Sequence, residues 1–532
     1  MTVLDRPPAL ERTDPLSTRR GLAPLLIGVF GFLVAVAGTW IPSVWFDEAA
    51  TITATQRSWP QLLQMLTSVD AVHGLYYAGM HVWFDLVGYT PFTLRLPSAL
   101  AVGATAALLV VLVRMLGSAR TAIIAGLVFA LLPRTTWMGG EGRSYALTAL
   151  LAVAMTIAFL VAVRSHARRS WVLYGVLALL GITTFLYVAL LVVAHGVTLL
   201  LLTRRSSRTA PVSARSLREW TTDVRVRRWL LVVGIAAAVL LPFALLVAAQ
   251  SAQVSWISPL GHHTWRDVFV GQWFYKNPLF AVVGWPLMVL GGYLAVRRTR
   301  TSLTSSAPEF APRTLAAIVL PWLVVPTVGL LVVSALGSPL YSPRYVAFAT
   351  PAAAVLIAVA LAPLGRRVFG RADLIVALVA LAAIAAPHYI AQRMPEAKQH
   401  SSWSEVASFI AAERTAPSAA TSVTAPQAII YGPVRKHLAA TTRVIEYAYP
   451  KAFDGLIDVK LKTPAAETGK LWETRYPLAE VTSRLDGVDT VWLVTSTKQD
   501  WRPSVTTALA AEGYAPDGEW SFTNVNVLRF TR

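Results

Sequence analysis

"GLAPLLIGVFGFLVAVAGTWIPSVWFDEAATITATQRS", residues 21–58, runs from an apolar stretch straight into two adjacent carboxylates, Asp47 and Glu48. About 20 apolar residues suffice to cross the hydrocarbon core of a bilayer as a helix, so residues 21–42 read as a first span. The carboxylates then lie within a few residues of the membrane surface. Charge near hydrocarbon is costly and calls for a partner or a task.

The apolar signal recurs along the chain. Of 532 residues, 55% are hydrophobic and only 14% charged, with a mean hydropathy of +0.54. That excludes an ordinary soluble enzyme and points to many spans. Eleven runs qualify: about 21–42, 95–113, 121–138, 144–163, 171–184, 187–202, 229–249, 279–296, 314–336, 346–364 and 373–391. The stretch 171–202 is too long for one span, and "ITTFLY" in its middle reads as a tight turn between two short ones. Cysteine is absent, which removes disulfides, thiolate chemistry and Cys-ligated zinc.

Charge divides the chain in two. Met1 to Pro395 carries 32 Lys and Arg against 13 Asp and Glu, the whole of the +19, whereas Glu396 to Arg532 carries 15 against 15. The break marks a boundary between a membrane module, 1–395, and a soluble α/β domain, 396–532. In the latter, "SWSEVASFIAAER" has helical periodicity, "TVWLVTS" and "NVNVLRF" are β-rich, and "RPSVTTALAAEGY" reads as a helix between them. Loops 114–120, 164–170, 203–228, 297–313 and 365–372 and the N-terminus hold 24 Arg. The opposite set holds seven Lys and Arg, Arg95 and Arg393 at span ends included. Basic loops stay in the cytoplasm, so the reading is a multi-pass plasma-membrane protein with a cytoplasmic N-terminus. The loops 43–94, 250–278 and 337–345 and the C-terminal domain face outward. Topology and anionic lipid account for the positive charge, and no nucleic-acid partner is needed. The first outer loop reads as amphipathic helices along the membrane surface.

Six acids fall in the outer loops before the tail: Asp47, Glu48, Asp70, Asp85, Glu141 and Asp267. "EGRS" puts Glu141 and Arg143 at one span mouth, and "YSPRY" puts Arg344 and Tyr345 at another. Local salt bridges are the plain alternative, Glu141 with Arg143 above all. A carboxylate at this depth can also take a proton from a hydroxyl nucleophile, a second one can tune it, and arginine forks bind and neutralise a phosphate. Together these describe group transfer from a lipid phosphate to a hydroxyl. Asp47 is then the base, with Glu48 beside it as tuner or in the exchanged role. Arg344, Arg143 and Tyr345 hold the donor phosphate. Asp70, His73, Tyr76, Tyr77, Glu141, His262 and His263 line the acceptor side, each with a structural alternative. The adjacent histidines of "PLGHHTW" lack the spacing of a helical zinc pair. The aromatics Trp256, Trp265, Trp273, Phe274 and Tyr275 read as interface anchors, or as surfaces for a sugar ring or a prenyl chain.

"WFDEAAT" after the first span, "DAVHGLYYAGMHVW" in the first outer loop, "EGRSYAL" opening a span and "SPRYVAFATP" near the end of the bundle occur in this order. The ordered set resembles the GT-C superfamily of membrane glycosyltransferases, in the branch of protein O-mannosyltransferases and lipid A aminoarabinose transferases. The resemblance covers nearly the whole chain. It implies a GT-C fold of about 11 transmembrane helices with an extracytoplasmic α/β domain, a polyprenyl-phosphate-linked sugar donor, inversion at the anomeric carbon, and the acid of the first outer loop, here Asp47, as catalytic base. Relatives often carry His-Pro-Pro where this chain has His73-Gly74-Leu75, which loosens the placement of His73. No cofactor is required, and a divalent metal stays open, with no ligands assigned.

Composition rich in Ala, Val, Leu and Arg suggests a high-GC bacterium such as an actinobacterium. Mannose transfer to an envelope glycan or lipoglycan is the favoured reading, ahead of arabinofuranosyl transfer and protein O-mannosylation. The rivals from other classes are a polyprenyl-lipid flippase and a non-catalytic scaffold. A transporter favours charges at mid-membrane, and the span interiors carry almost no ionisable residues, His195 being the exception. The topology is tested by reporter fusions within 203–228 and at position 460: opposite sides are expected, and the same side for both overturns it.

Overall fold

The computed structural model describes residues 15–165, 167–204, 222–301, 311–364, 370–415, 426–434 and 437–532. Segments 205–221, 302–310 and 365–369 lie outside the described residues, and the first and last of them carry part of the charge bias.

All eleven apolar runs carry helix. In chain order the helices are α1 (Pro15–Val36), α2 (Phe46–Thr55), α3 (Trp59–Ser68), α4 (Gly74–Val87), α5 (Pro91–Leu116), α6 (Ala119–Leu131), α7 (Pro133–Gly139), α8 (Tyr145–Ser165), α9 (Arg168–Thr184), α10 (Ala189–Arg204), α11 (Val224–Ala249), α12 (Pro278–Thr301), α13 (Ala311–Leu336), α14 (Thr350–Leu361) and α15 (Gly370–Ala391). Among the described residues, eight helices are long and apolar enough to cross a membrane, and α6 with α7 makes a ninth if the bent pair is one span. The protein is therefore a multi-pass membrane protein. The bend is 63°; Pro133 opens α7 and Leu132 before it is extended, as a residue preceding proline prefers to be. The first run stops being helical at Val36, short of 42, and Gly38 takes a positive φ of 74°. A Cβ there would sit 2.7 Å from Cγ of Arg393.

Burial sorts the helices. The window within Pro343–Leu361 is 94% buried, whereas those of α11 and Arg371–Ala391 are 11% buried. The first is the axis of the bundle. The other two present Leu231, Ile235, Val239, Val376 and Val379 outward, which costs nothing where the solvent is lipid.

At the Asp47 end of the bundle, the C-terminal segment adds α16 (Trp403–Thr415), α17 (Val444–Ala448), α18 (Arg502–Ala511) and a five-stranded sheet. Its strands are β1 (Gln427–Tyr431), β2 (Ile457–Asp458), β3 (Thr490–Ser496), β4 (Ala515–Phe522) and β5 (Val525–Thr531). Their order is β2-β1-β3-β5-β4, parallel across β2-β1-β3 and antiparallel beyond. Every residue of β3 is buried, because successive side chains face opposite sides and both sides are covered. Val491 and Leu493 meet Val505 and Leu509 of α18. Trp492 and Val494 share a core with Ile52, Leu62, Met65 and Tyr77 from the first long loop. So α2 is no surface helix: Glu48 through Thr55 are all buried. The expectation that this loop lies along the membrane is corrected for α2, whose apolar positions share a core with the C-terminal segment. Arg57 reinforces the joint by donating to Ala465 O at 2.7 Å and Lys470 O at 2.6 Å.

One buried charge network positions all of this. Arg95, near the start of α5, grips Glu48 with two parallel bonds, Nε–Oε1 2.9 Å and Nη2–Oε2 2.7 Å. Its other N–H groups go to the carbonyls of Thr39, Pro42 and Ser43, so all five donors are used. Lys398 bonds Glu48 at 3.2 Å, Glu141 at 2.7 Å and Gly140 O at 2.7 Å. Glu141 also accepts from Trp45 Nε1 at 3.0 Å, and Glu48 from Gly142 N at 2.9 Å. Burial alone would raise the Glu48 carboxyl, but Arg95 and Lys398 hold it down at about 2.

Removing one partner from such a network leaves charge buried and unpaired, at a cost of about 3–5 kcal/mol. Glu48→Gln is expected to lower the thermal midpoint of the detergent-purified protein strongly. The stabilisation from the lowered Glu48 pKa is whole above the ordinary value of 4.5 and is lost as pH falls towards 2. The variant should therefore lose part of the wild type's decline across that window. In the bundle, a Cβ on Gly291 would fall on the carbonyl oxygen of Leu356, whereas one on Gly234 meets nothing. Gly291→Ala should destabilise and Gly234→Ala should not; equal midpoints for both would contradict the packing.

Candidate active site

Asp47 and Glu48 stand in the first turn of α2, where the helix dipole favours negative charge. Consecutive residues turn by about 100° on a helix, so the two carboxylates diverge. Glu48 enters the buried network. Asp47 Oδ2 receives Arg344 Nη1 at 2.8 Å, with the side chains 22% and 18% exposed. This corrects the expectation that Glu48 works beside Asp47: both its oxygens are occupied and it is sealed from solvent.

Arg344 is delivered by the short helical turn Pro343–Ala349 that leads into α14. Its guanidinium lies 4.6 Å from the ring centre of Trp256, 5.7 Å from Tyr345 and 6.0 Å from Trp45, a cage suited to holding a cation. Tyr345 stacks on Tyr187 at 5.3 Å and meets Phe185 edge-on at 5.4 Å.

Arg143 forms the other half. Its Nη1 donates to Tyr77 Oη at 3.0 Å, and its Nη2 meets His73 Nε2 at 3.0 Å. Arginine cannot accept, so Nε2 is the acceptor and the His73 proton sits on Nδ1. Burial, with Arg143 and Arg344 nearby, holds His73 well below its usual pKa, so it is neutral near pH 7. Tyr77 Oη donates to Asp70 Oδ2 at 2.7 Å, and burial raises the Asp70 carboxyl. Arg143 is within electrostatic reach of Asp47, and His73 of Arg344, so both guanidiniums face one region. Tyr145, at the start of α8, lies among Arg344, Asp47 and Arg143.

The other residues expected at the site divide. Glu141 and Arg143 do not pair: Glu141 turns to Lys398 and Trp45, and with Lys398 lines a small pocket beside Thr39, Trp137 and Tyr275. Tyr76 is buried behind Tyr77, ring centres 6.5 Å apart. His262 and His263 are exposed and contact each other, so they are not drawn into the cluster. Trp256 roofs Arg344, Tyr275 stacks on Trp137 at 5.4 Å, Trp273 and Phe274 are core, and Trp265 stays exposed. His195 is held between Thr156 and Tyr174 at 3.2 Å each and stacks on Phe159, a satisfied core histidine. Asp85 pairs with His81 at 3.2 Å. Among the described residues no group of three or more His, Asp or Glu could hold a metal ion. Sequence reading missed Arg95, Lys398, Trp45 and Tyr145. The signal for the first two was a charge at a span start and a lone lysine just past the compositional break.

No family model matches the sequence, and no curated protein matches it. Solved structures do. The chain is similar to ArnT from Cupriavidus metallidurans in the apo state, with a TM-score of 0.56 at 13% identity over 97% of this chain and 98% of that one. It is similar to the same protein bound to undecaprenyl phosphate, with a TM-score of 0.52 at 16% identity over 96% and 98%. The archaeal oligosaccharyltransferase AglB from Archaeoglobus fulgidus, in complex with an inhibitory peptide and a dolichol-phosphate, gives a TM-score of 0.48 at 12% identity over 96% and 74%. Over nearly its whole length, the chain has the fold of ArnT.

Proposed function

We propose that the protein is an inverting membrane glycosyltransferase that moves a sugar from a polyprenyl-phosphate donor to a hydroxyl acceptor. The observation that carries this reading is the pairing of Asp47, partly exposed, with the aromatic-caged Arg344, with Arg143 facing the same region. Support comes from the fold shared with ArnT, one structure of which holds undecaprenyl phosphate.

In the proposed reaction Arg344 and Arg143 bind the donor phosphate. The acceptor oxygen attacks the anomeric carbon while its proton passes to Asp47. The bond from that carbon to the phosphate oxygen breaks, and polyprenyl phosphate leaves with the electron pair, its growing charge neutralised by the guanidiniums. A phosphate leaves without acid help, so one base and two cations suffice. Tyr77 and neutral His73 hold Arg143 in place, and Asp70 orients Tyr77. Mannose is the favoured sugar and an envelope glycan or lipoglycan the favoured acceptor, on the extracytoplasmic face. Both rest on the family resemblance and the composition.

Asp47→Asn keeps the size of the side chain but cannot take the proton. It is expected to fold, bind the lipid donor and lose transfer by about 10²–10⁴-fold, measured on purified protein with a panel of polyprenyl-phosphate sugars. Arg344→Lys keeps charge without the fork and should transfer faster than Arg344→Ala and slower than wild type. Normal transfer by Asp47→Asn removes the base; unchanged donor affinity in Arg344→Ala removes the phosphate ligand.

A further inference from the structure

Away from Asp47, an open cavity of about 700 Å³ lies between the C-terminal end of α2 and the C-terminal segment. Its size falls in the range of about 300–1,000 Å³ usual for small-ligand sites. Thr53 and Gln56 form the α2 wall, and Arg443, Glu446, Tyr447, Asp458, Lys462 and Arg484 supply most of the opposite polar wall. Asp47 and Gln56 are nine residues apart, about 14 Å along the axis and on opposite faces of the helix. The cavity is therefore separate from the Asp47 site.

Its lining is chemically mixed. Arg443 is 3% exposed and ion-paired with Asp458, yet its Nε is buried without a hydrogen-bond partner. Burial raises the Glu446 carboxyl. Peptide addition at the nearby sheet edge is closed. The carbonyls of Val459 and Leu461 already accept from Arg484 at 3.0 and 2.7 Å, and the N–H groups of Lys460 and Leu461 donate to Asp458 Oδ1 at 3.1 Å each. The site offers interleaved carboxylates, guanidiniums and a phenol rather than a strand edge. Sugar hydroxyls, which donate and accept at once, match that pattern.

We propose that this cavity binds a neutral oligosaccharide and, given the transferase reading above, holds the distal part of a glycan acceptor whose terminal sugar reaches Asp47 around α2. The site would make transfer depend on acceptor length.

The test uses the full chain purified in detergent. Neutral manno-, arabino- and gluco-oligosaccharides of one to six units are the probes, with binding read by saturation-transfer NMR and transfer read separately. Longer oligosaccharides of at least one series should bind the wild type. Ala466→Trp, which fills the cavity from its wall, and Glu446→Gln should weaken that binding by about tenfold or more, the worth of a lost hydrogen bond to a charged group. Both variants should still transfer to a short synthetic acceptor. Asp47→Asn should bind the probes normally, so loss of transfer with intact binding separates this site from the catalytic reading. Absence of binding by every series, binding unchanged in Ala466→Trp, or capture of peptides in place of sugars overturns the proposal.

Discussion

The structure hangs on a buried bidentate contact between Arg95 and Glu48. Two charges removed from water are costly, and their attraction repays this only when every lone pair and proton is satisfied. Here each donor of Arg95 and each of Lys398 has a partner, and the network joins five stretches of chain: the segment after α1, α2, α5, the 140–142 turn and the segment after α15. Stretches that far apart in sequence are held at fixed distances because moving any one strands a charge. The contact thus acts as a register pin between the bundle and the start of the C-terminal segment.

That pin makes Asp47 usable. A carboxylate on an unanchored loop next to a cation would collapse into whatever geometry the pair prefers. With Glu48 clamped one residue on, the backbone at Asp47 is fixed, and Arg344 is separately fixed by its rings and by the buried helix that follows it. The resulting pair is preorganised yet still one-fifth exposed, and preorganised charges need no reorganisation to stabilise a charge that develops beside them.

Much of this was legible in the sequence because the signals were one-dimensional. Each apolar run carries helix, and the β-rich and helical stretches after residue 396 became β3, β5, α16 and α18. Asp47 and Arg344, 297 residues apart, both stood at span mouths and do meet. What stayed hidden depended on direction. "DE" reads as one feature in a string, and only the helical turn sends one acid to solvent and the other to the core. Glu141 and Arg143 looked like a local pair, yet "EGRS" is a tight turn whose alternate side chains part company, one to Lys398 and one to Tyr77. Arg95 was hidden because it opens an apolar run, where a charge looks like an edge effect, and Lys398 because its partners lie hundreds of residues upstream.

α2 emerges as the element that joins the parts. It is ten residues long, too short to be stable alone in water, and its residues 48 to 55 are buried. Its helicity is imposed by packing between α4 and α17. The helix therefore has no independent equilibrium: its N-terminal carboxylate, its Arg95-clamped neighbour and its Thr53–Gln56 end move only if the interface with the C-terminal segment moves. The cavity at one end and the carboxylate at the other are joined by about two and a half turns of one helix. The C-terminal segment is in that sense part of the scaffold of Asp47, since its α17 supplies a wall against which the helix bearing Asp47 is formed.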